Sequence, residues 1–226
     1  MEKTMTLSIK KLDKHYGEKC IYENFKIDFD DNKVNCILGK SGCGKSTLLN
    51  LISGILKSDN TDFKKIDKKN ISYIFQEASL IPWLTIEENL QLVGKKFYKK
   101  HELKNITNKY MNLVDIETYK NMYPQKVSGG IRQRCNVARA FVKPSKYILM
   151  DEPFKSIDIK IKNNIMEKIK YILKNEMKTV IFVTHDLDEA IFLGDKIFII
   201  GENPVKVKAV FESIKNLSKE DILKFI

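Results

Sequence analysis

Arginine is almost missing from this chain. Of its 40 basic residues only Arg132, Arg134 and Arg139 are arginines, and all three sit on one short segment. The formal net charge of +11 is carried mainly by lysine, spread over polar stretches such as residues 64–69 and 95–104. A positive balance of that size can mark a nucleic-acid or anionic-membrane binder. Runs of one charge are usually solvated faces, however, and the lysines read as such a surface. The arginines stand where a planar fork does what lysine cannot, and the expectation is that Arg132 and Arg139 tie their helix to nearby carboxylates.

Long apolar runs are missing too. Nothing approaches the roughly 18 to 20 residues needed to cross a bilayer, so a membrane role would have to come through a partner. The opening MEKTMTLSIKK has no signal-type apolar segment, which predicts a cytosolic chain. The four cysteines, Cys20, Cys36, Cys43 and Cys135, form no Cys-x-x-Cys pair, and no histidine stands at zinc-ligand spacing. They are expected to be small buried residues, except Cys43, which falls inside a glycine-rich loop. No internal repeat or low-complexity linker appears.

What is present is an alternation of strands and helices, and 226 residues at 43% hydrophobic content suffice for one sizeable core. The first 38 residues read as strands. Phe25, Ile27 and Phe29 alternate with Lys26, Asp28 and Asp30, a half-buried pattern. Residues 34–38 form an apolar run ending at a glycine-rich loop, with a helix expected over 47–55. A strand is expected at 71–75. Thr85 with Glu88 fits a capping box, and residues 79–141 read as mostly helical. Strands follow at 147–150 and 180–184 around a helix at 159–174. Further strands are expected at 196–200 and 205–211, and Ser218 caps a last helix. The sum is an α/β fold with a parallel sheet interrupted by a helical block.

Three segments carry chemistry. Gly39-Lys40-Ser41-Gly42-Cys43-Gly44-Lys45-Ser46-Thr47 satisfies the P-loop pattern between a strand and a helix. Its glycines let backbone N–H groups wrap phosphates, Lys45 reaches the terminal phosphates, and Ser46 suits Mg²⁺. Asp151 and Glu152 end an apolar strand, where the first can hold Mg²⁺ and the second can polarise an attacking water. Ser128-Gly129-Gly130 opens the arginine-bearing helix, a second anion-binding helix end. Gln76 follows a strand and could bridge Mg²⁺ and a mobile loop. His185 follows another strand and could orient water. Tyr16, before Gly17, could stack on an adenine. The segment Leu80-Ile81-Pro82-Trp83-Leu84 reads either as packing within the helical block or as a socket for a partner helix.

Taken in order, Tyr16, the loop 39–47, Gln76, Ser128-Gly129-Gly130, Asp151-Glu152, Asp158 and His185 resemble an ATP-binding-cassette ATPase over essentially the whole chain. Within that family IPWLTIEENL and YPQKVSGGIRQR look most like the importer subunits for nitrate, sulfonate, taurine and related solutes, including thiamine-precursor pyrimidines. The resemblance implies a P-loop core over 1–78 and 142–226 with a small antiparallel β-subdomain, trimmed at 57–70, and an inserted helical subdomain over 79–141. It implies ATP and Mg²⁺, the metal held by Ser46, Gln76 and Asp151. It implies a head-to-tail dimer in which Ser128, Gly129 and Gly130 of one chain close on ATP held by the other. Glu152 would be the general base, His185 the switch, and Asp158 a bridge between subunits. Implied partners are a membrane permease and an extracytoplasmic solute-binding protein, with the chain on the cytoplasmic face of the membrane and no nucleic acid expected. Val127 and Ile131 depart from the common signature, and Lys155 with Ser156 replaces usually small residues. The alternative, a non-transport cassette acting on nucleic acid or ribosomes, rests on the net charge alone.

Overall fold

The computed structural model describes residues 7–60, 66–212, 214 and 217–226. In chain order the strands are β1 (Leu7–Tyr16), β2 (Lys19–Phe29), β3 (Val34–Leu38), β4 (Ile71–Ile74), β5 (Tyr147–Asp151), β6 (Thr179–Thr184), β7 (Lys196–Gly201) and β8 (Lys206–Phe211). The helices are α1 (Lys45–Ile52), α2 (Ile86–Gly94), α3 (Lys100–Leu113), α4 (Gly129–Val142), α5 (Ile159–Asn175), α6 (Leu187–Leu193) and α7 (Lys219–Leu223). The chain divides into two compact units, residues 1–71 with 177–226, and residues 72–176.

In the first unit β3 is buried along its whole length and lies between β6 and β7, parallel to both. A strand covered on both faces must be apolar throughout, which is why its sequence does not alternate. The exception is Asn35, fully buried. Its amide nitrogen donates to the carbonyls of Asp30, Lys33 and Val180, and its oxygen accepts from Asp30 N–H at 2.9 Å. One side chain thus satisfies the tight turn that feeds the central strand. The edge strand β8 runs antiparallel to β7.

The expected alternation in β2 is present. Phe25, Ile27 and Phe29 are buried while Lys26 and Asp28 are exposed. β2 pairs antiparallel with β1 in a two-stranded sheet, Leu7 opposite Phe29 and Ile9 opposite Ile27. Phe29 meets the edge of Phe198 at 5.5 Å between ring centres, fastening this hairpin to β7. Of the 57–70 stretch expected to be trimmed, residues 61–65 lie outside the described residues.

Helix α1 starts and stops earlier than its sequence pattern suggests. Gly44, at φ 103°, is the N-cap, so the helix begins at Lys45 rather than Thr47. Gly54, at φ 72°, follows a C-cap at Ser53, so the helix ends at Ile52 rather than Ile55. Both ends are set by glycines in the left-handed region, where an L side chain is strained.

In the second unit β4 and β5 are neighbours, and α4 packs against α2 and α3. The Thr85 capping box forms as expected: its hydroxyl accepts from Glu88 N–H, and the Glu88 carboxylate accepts from Thr85 N–H at 2.8 Å. No described helix is long and apolar enough to cross a membrane. All four cysteines are free; Cys36 and Cys135 are buried, and burial pushes the Cys135 thiol up to about 12.

Asn35→Ala should strand two or more buried polar groups at the start of β3. The expected cost is roughly 2–4 kcal/mol in urea unfolding. A loss below about 0.5 kcal/mol would mean that the turn is held by other bonds.

Candidate nucleotide site

The first unit carries the glycine-rich loop, His185 and Tyr16. Leu38 pairs with Thr184 at the ends of the parallel strands β3 and β6, so Gly39 and His185 leave neighbouring strands at one level. The carboxyl ends of parallel strands are where α/β sheets bind ligands. Any side chain on Gly39 would run into the Ile200 carbonyl, so only glycine lets the loop pass there.

Lys45 is 5% exposed. Its ammonium donates to the carbonyls of Gly39 at 2.7 Å and Lys40 at 2.8 Å, and it forms no ion pair among the described residues. A buried cation held only by neutral dipoles is short of negative charge. The loop around it is a place where an anion is stabilised. No acidic residue occupies the first turn of α1, and no side chain caps it, leaving its first N–H groups for the same anion.

His185 is exposed, and the turn that presents it is rigidly tied. Thr184 Oγ1 donates to the buried carboxylate of Glu189 at 2.8 Å and accepts from Asp186 N–H. Asp186 in turn caps α6. Tyr16 ends β1 before the left-handed Gly17; the residue is 48% exposed, and the Lys14 ammonium lies 5.4 Å from its ring centre. Asp59 steadies this tip by accepting from Lys14 Nζ and from His15 N–H.

The second unit carries Gln76, Ser128-Gly129-Gly130, Asp151, Glu152 and Asp158. Gln76 Nε2 donates to Glu152 Oε2 at 3.3 Å, and Lys155 Nζ lies 3.9 Å from the same oxygen. Asp151 is buried at the end of β5. Burial, and after it the Asp151 carboxylate, pushes the Tyr73 phenol far up, keeping that hydroxyl neutral. Glu152 has φ 43° and Ser156 φ 67°. Left-handed backbone is unfavourable for such residues, and a following proline restricts Glu152 further. Such a turn persists only where its surroundings over-determine it.

Helix α4 supplies those surroundings. Gln133 Nε2 donates to the carbonyls of Phe75 and Pro153, at 3.4 and 3.0 Å, and Asn136 Nδ2 donates to Phe75 at 2.8 Å. The helix headed by Ser128 therefore grips the chain just beyond β4 and β5. Ser128 accepts from Ile131 N–H as N-cap, and Gly130 has the Ser156 carbonyl so close that a side chain would crowd it. A pocket of about 370 Å³ lies here, lined by Gln76, Gly129, Arg132, Gln133, Lys155 and Ser156 among others. Asp158 is the N-cap of α5, accepting from Lys160 N–H at 3.0 Å.

The arginine expectation is corrected. Arg132 donates to the carbonyls of Pro124 and Val127, and Arg134 to those of Val114 and Asp115. Arg139 donates to the Ser79 carbonyl and the Asn136 side chain. None meets a carboxylate among the described residues. Irregular segments leave carbonyls unpaired, and one planar fork satisfies two of them at once. Sequence reading missed Gln133 and Asn136, whose one-turn spacing beside the glycines was the available signal. It also missed Tyr22, which is fully buried and donates to the Gly44 carbonyl at 2.9 Å.

Trp83 is 75% exposed, and Met122 and Tyr123 of the same unit are also exposed. That overturns the packing alternative for Trp83. The Asn89 side chain ties this loop down, accepting from Ile81 N–H and donating to the carbonyls of Ile81, Leu84 and Thr85.

Residues 22–155 match the family model described as ABC transporter. The chain is 35% identical to the aliphatic sulfonates import ATP-binding protein SsuB of Bacillus anthracis, over 95% of this chain and 88% of that protein. It is 33% identical to the Fe(3+) ions import ATP-binding protein FbpC of Fusobacterium nucleatum, over 90% of this chain and 57% of that one. Among solved structures it resembles the ATP-binding cassette MJ0796, a dimeric post-hydrolysis state bound to ADP and Pi. The TM-score is 0.82 at 28% identity, covering 94% of this chain and 100% of the other.

Asn89→Ala should free the loop that carries the sole Trp. Steady-state anisotropy of Trp83 is expected to fall while far-UV circular dichroism stays the same; unchanged anisotropy would mean the loop is fixed by other contacts.

Proposed function

The chain belongs to the ABC transporter family, and on that premise we propose that it is the ATP-hydrolysing subunit of an importer, powering uptake of a small organic or oxyanion solute through a separate permease. It is an ATP-binding cassette ATPase. Import is supported by the names of its relatives. Their cargoes differ, sulfonates in one and Fe(3+) in the other, so the solute class rests on the nearer likeness. The observation that carries the nucleotide reading is Lys45, a buried ammonium at a helix N-terminus with no carboxylate partner among the described residues.

In this reading Lys45 and the backbone N–H groups of 39–47 hold the phosphates, and Tyr16 stacks on the adenine. Glu152 accepts a proton from the attacking water, and its oxygen is kept in place by Gln76. His185 orients the same water from its tied turn. Ser128, Gly129 and Gly130 of a second copy close on the phosphates, and Asp158 bridges the two copies; the dimeric neighbour supports this assembly. Residues 1–78 and 142–226 would form the nucleotide-binding core and 79–141 the helical subdomain.

The donor set suits Mg²⁺. Ser46, Gln76 and Asp151 offer hard oxygen atoms, and among the described residues no group of three or more His, Cys, Asp or Glu forms a complete cage. That matches an ion which keeps its waters and takes substrate phosphates as ligands. Bound there, it would neutralise charge on the phosphates. The exposed Trp83, Met122 and Tyr123 suit a helix of the permease at the cytoplasmic membrane face, with an extracytoplasmic solute-binding protein delivering the cargo.

Glu152→Gln should lower ATP turnover about 10²- to 10⁴-fold while ATP still binds. Turnover that the variant leaves intact would remove Glu152 as the base. Adding the co-purified permease should shift Trp83 emission and make turnover respond to solute; emission that does not move would sink the docking surface.

A further inference from the structure

The phosphate loop has a support that its motif does not contain. Tyr22, in the middle of β2, has no exposed surface. Its hydroxyl donates to the carbonyl of Gly44 at 2.9 Å. That oxygen also accepts from Leu48 N–H at 2.9 Å, the first hydrogen bond of α1. Gly44 itself stands at φ 103°, a conformation that glycine alone adopts easily and that nothing intrinsic to glycine holds. The space beside its α-carbon is walled by Tyr22 Oη, Ile21 Cγ2 and Val205 Cγ2. Those walls are themselves joined, since Val205 N–H donates to the Ile21 carbonyl at 2.8 Å. Tyr22 is braced in turn by the edge of Phe25 at 4.8 Å between ring centres. Burial also raises the phenol far above its ordinary pKa, so the hydroxyl keeps its proton to donate.

A trans peptide is planar, so the Gly44 carbonyl and the Lys45 N–H point in opposite directions. Fixing the carbonyl toward Tyr22 and Leu48 fixes the N–H in the opposite direction, away from the helix. We propose that Tyr22 is a positioning residue for nucleotide binding, which holds the Gly44–Lys45 peptide so that the Lys45 N–H is aimed in advance at a phosphate oxygen. It rests on the reading that residues 39–47 hold the phosphates. The hydroxyl touches no substrate. Its effect is to remove a rotation that the loop would otherwise have to lose each time a nucleotide arrives, the general gain from preorganisation.

The test compares the full chain with Tyr22→Phe, which deletes only the hydroxyl, by isothermal titration with ATP and ADP and by steady-state turnover. Affinity for both nucleotides should fall about 3- to 10-fold, the size of one lost hydrogen bond. KM should rise in step, with a smaller change in kcat. A purely structural role would lower the melting temperature and leave these affinities alone, and that result overturns the proposal. So does a fall in kcat at unchanged affinity. Tyr22→Leu also lacks the hydroxyl, carries the same expectation, and serves if the Phe variant folds poorly. Lys45→Ala separates the two readings. If it binds ATP as tightly as the parent, the phosphate assignment of the loop fails. If it loses ATP while Tyr22→Phe does not, only the role of Tyr22 fails.

Discussion

The constraint from which the first unit follows is the burial of one positive charge. An ammonium taken from water needs compensation. Lys45 finds it in the carbonyls of Gly39 and Lys40, so the loop must curl back over the side chain that leaves its own far end. That curl demands glycines where the backbone turns left-handed or passes close to β7. It also demands a stiff platform, which the all-buried β3 supplies between two parallel neighbours. The flanking β2 then contributes Tyr22, buried although it is out of phase with the alternation of Phe25, Ile27 and Phe29. Local geometry, sheet order and the electrostatics of the loop are one arrangement seen at three scales.

The second unit answers a different problem. There a carboxylate at a chain turn is held still. Glu152 sits on a strained turn, with Gln76 on its oxygen and Lys155 beyond. The strain is sustained by α4, whose amide side chains bond to the carbonyls of Phe75 and Pro153. Backbone conformations that are costly alone become tolerable when several independent bonds agree on them.

Much of this was legible in the sequence, for identifiable reasons. β2 and β3 were readable because burial on one face or two writes itself directly into residue order. The Thr85 capping box and the loop 39–47 were readable because their spacing is fixed by backbone geometry. The ends of α1 were misjudged because glycines inside the loop and after Ser53 override an apolar pattern that extends past them. The arginine partners were misjudged because a guanidinium satisfies carbonyls as readily as carboxylates, and unpaired carbonyls leave no mark on the sequence. Tyr22 was invisible for another reason: the alternation of Phe25, Ile27 and Phe29, carried back along β2, puts position 22 on the opposite face, and nothing in residue order marks its burial or its hydroxyl's partner.

The grip of α4 on the two strand ends has a consequence for inheritance. Toward the strand ends Gln133 and Asn136 donate to main-chain carbonyls, so what they require of residues 75 and 153 is backbone position and not identity. The residues bonded can drift in sequence, whereas exchanging Gln133 takes the amide donor from the buried Pro153 carbonyl and exchanging Asn136 leaves Phe75 only the longer of its two amide bonds. Variation in descendants of this chain should therefore be lopsided across these contacts, tolerant on the strand side and intolerant on the helix. A fitness map of the region would be a poor guide to which residues touch and a good guide to which side of each contact holds the proton donor.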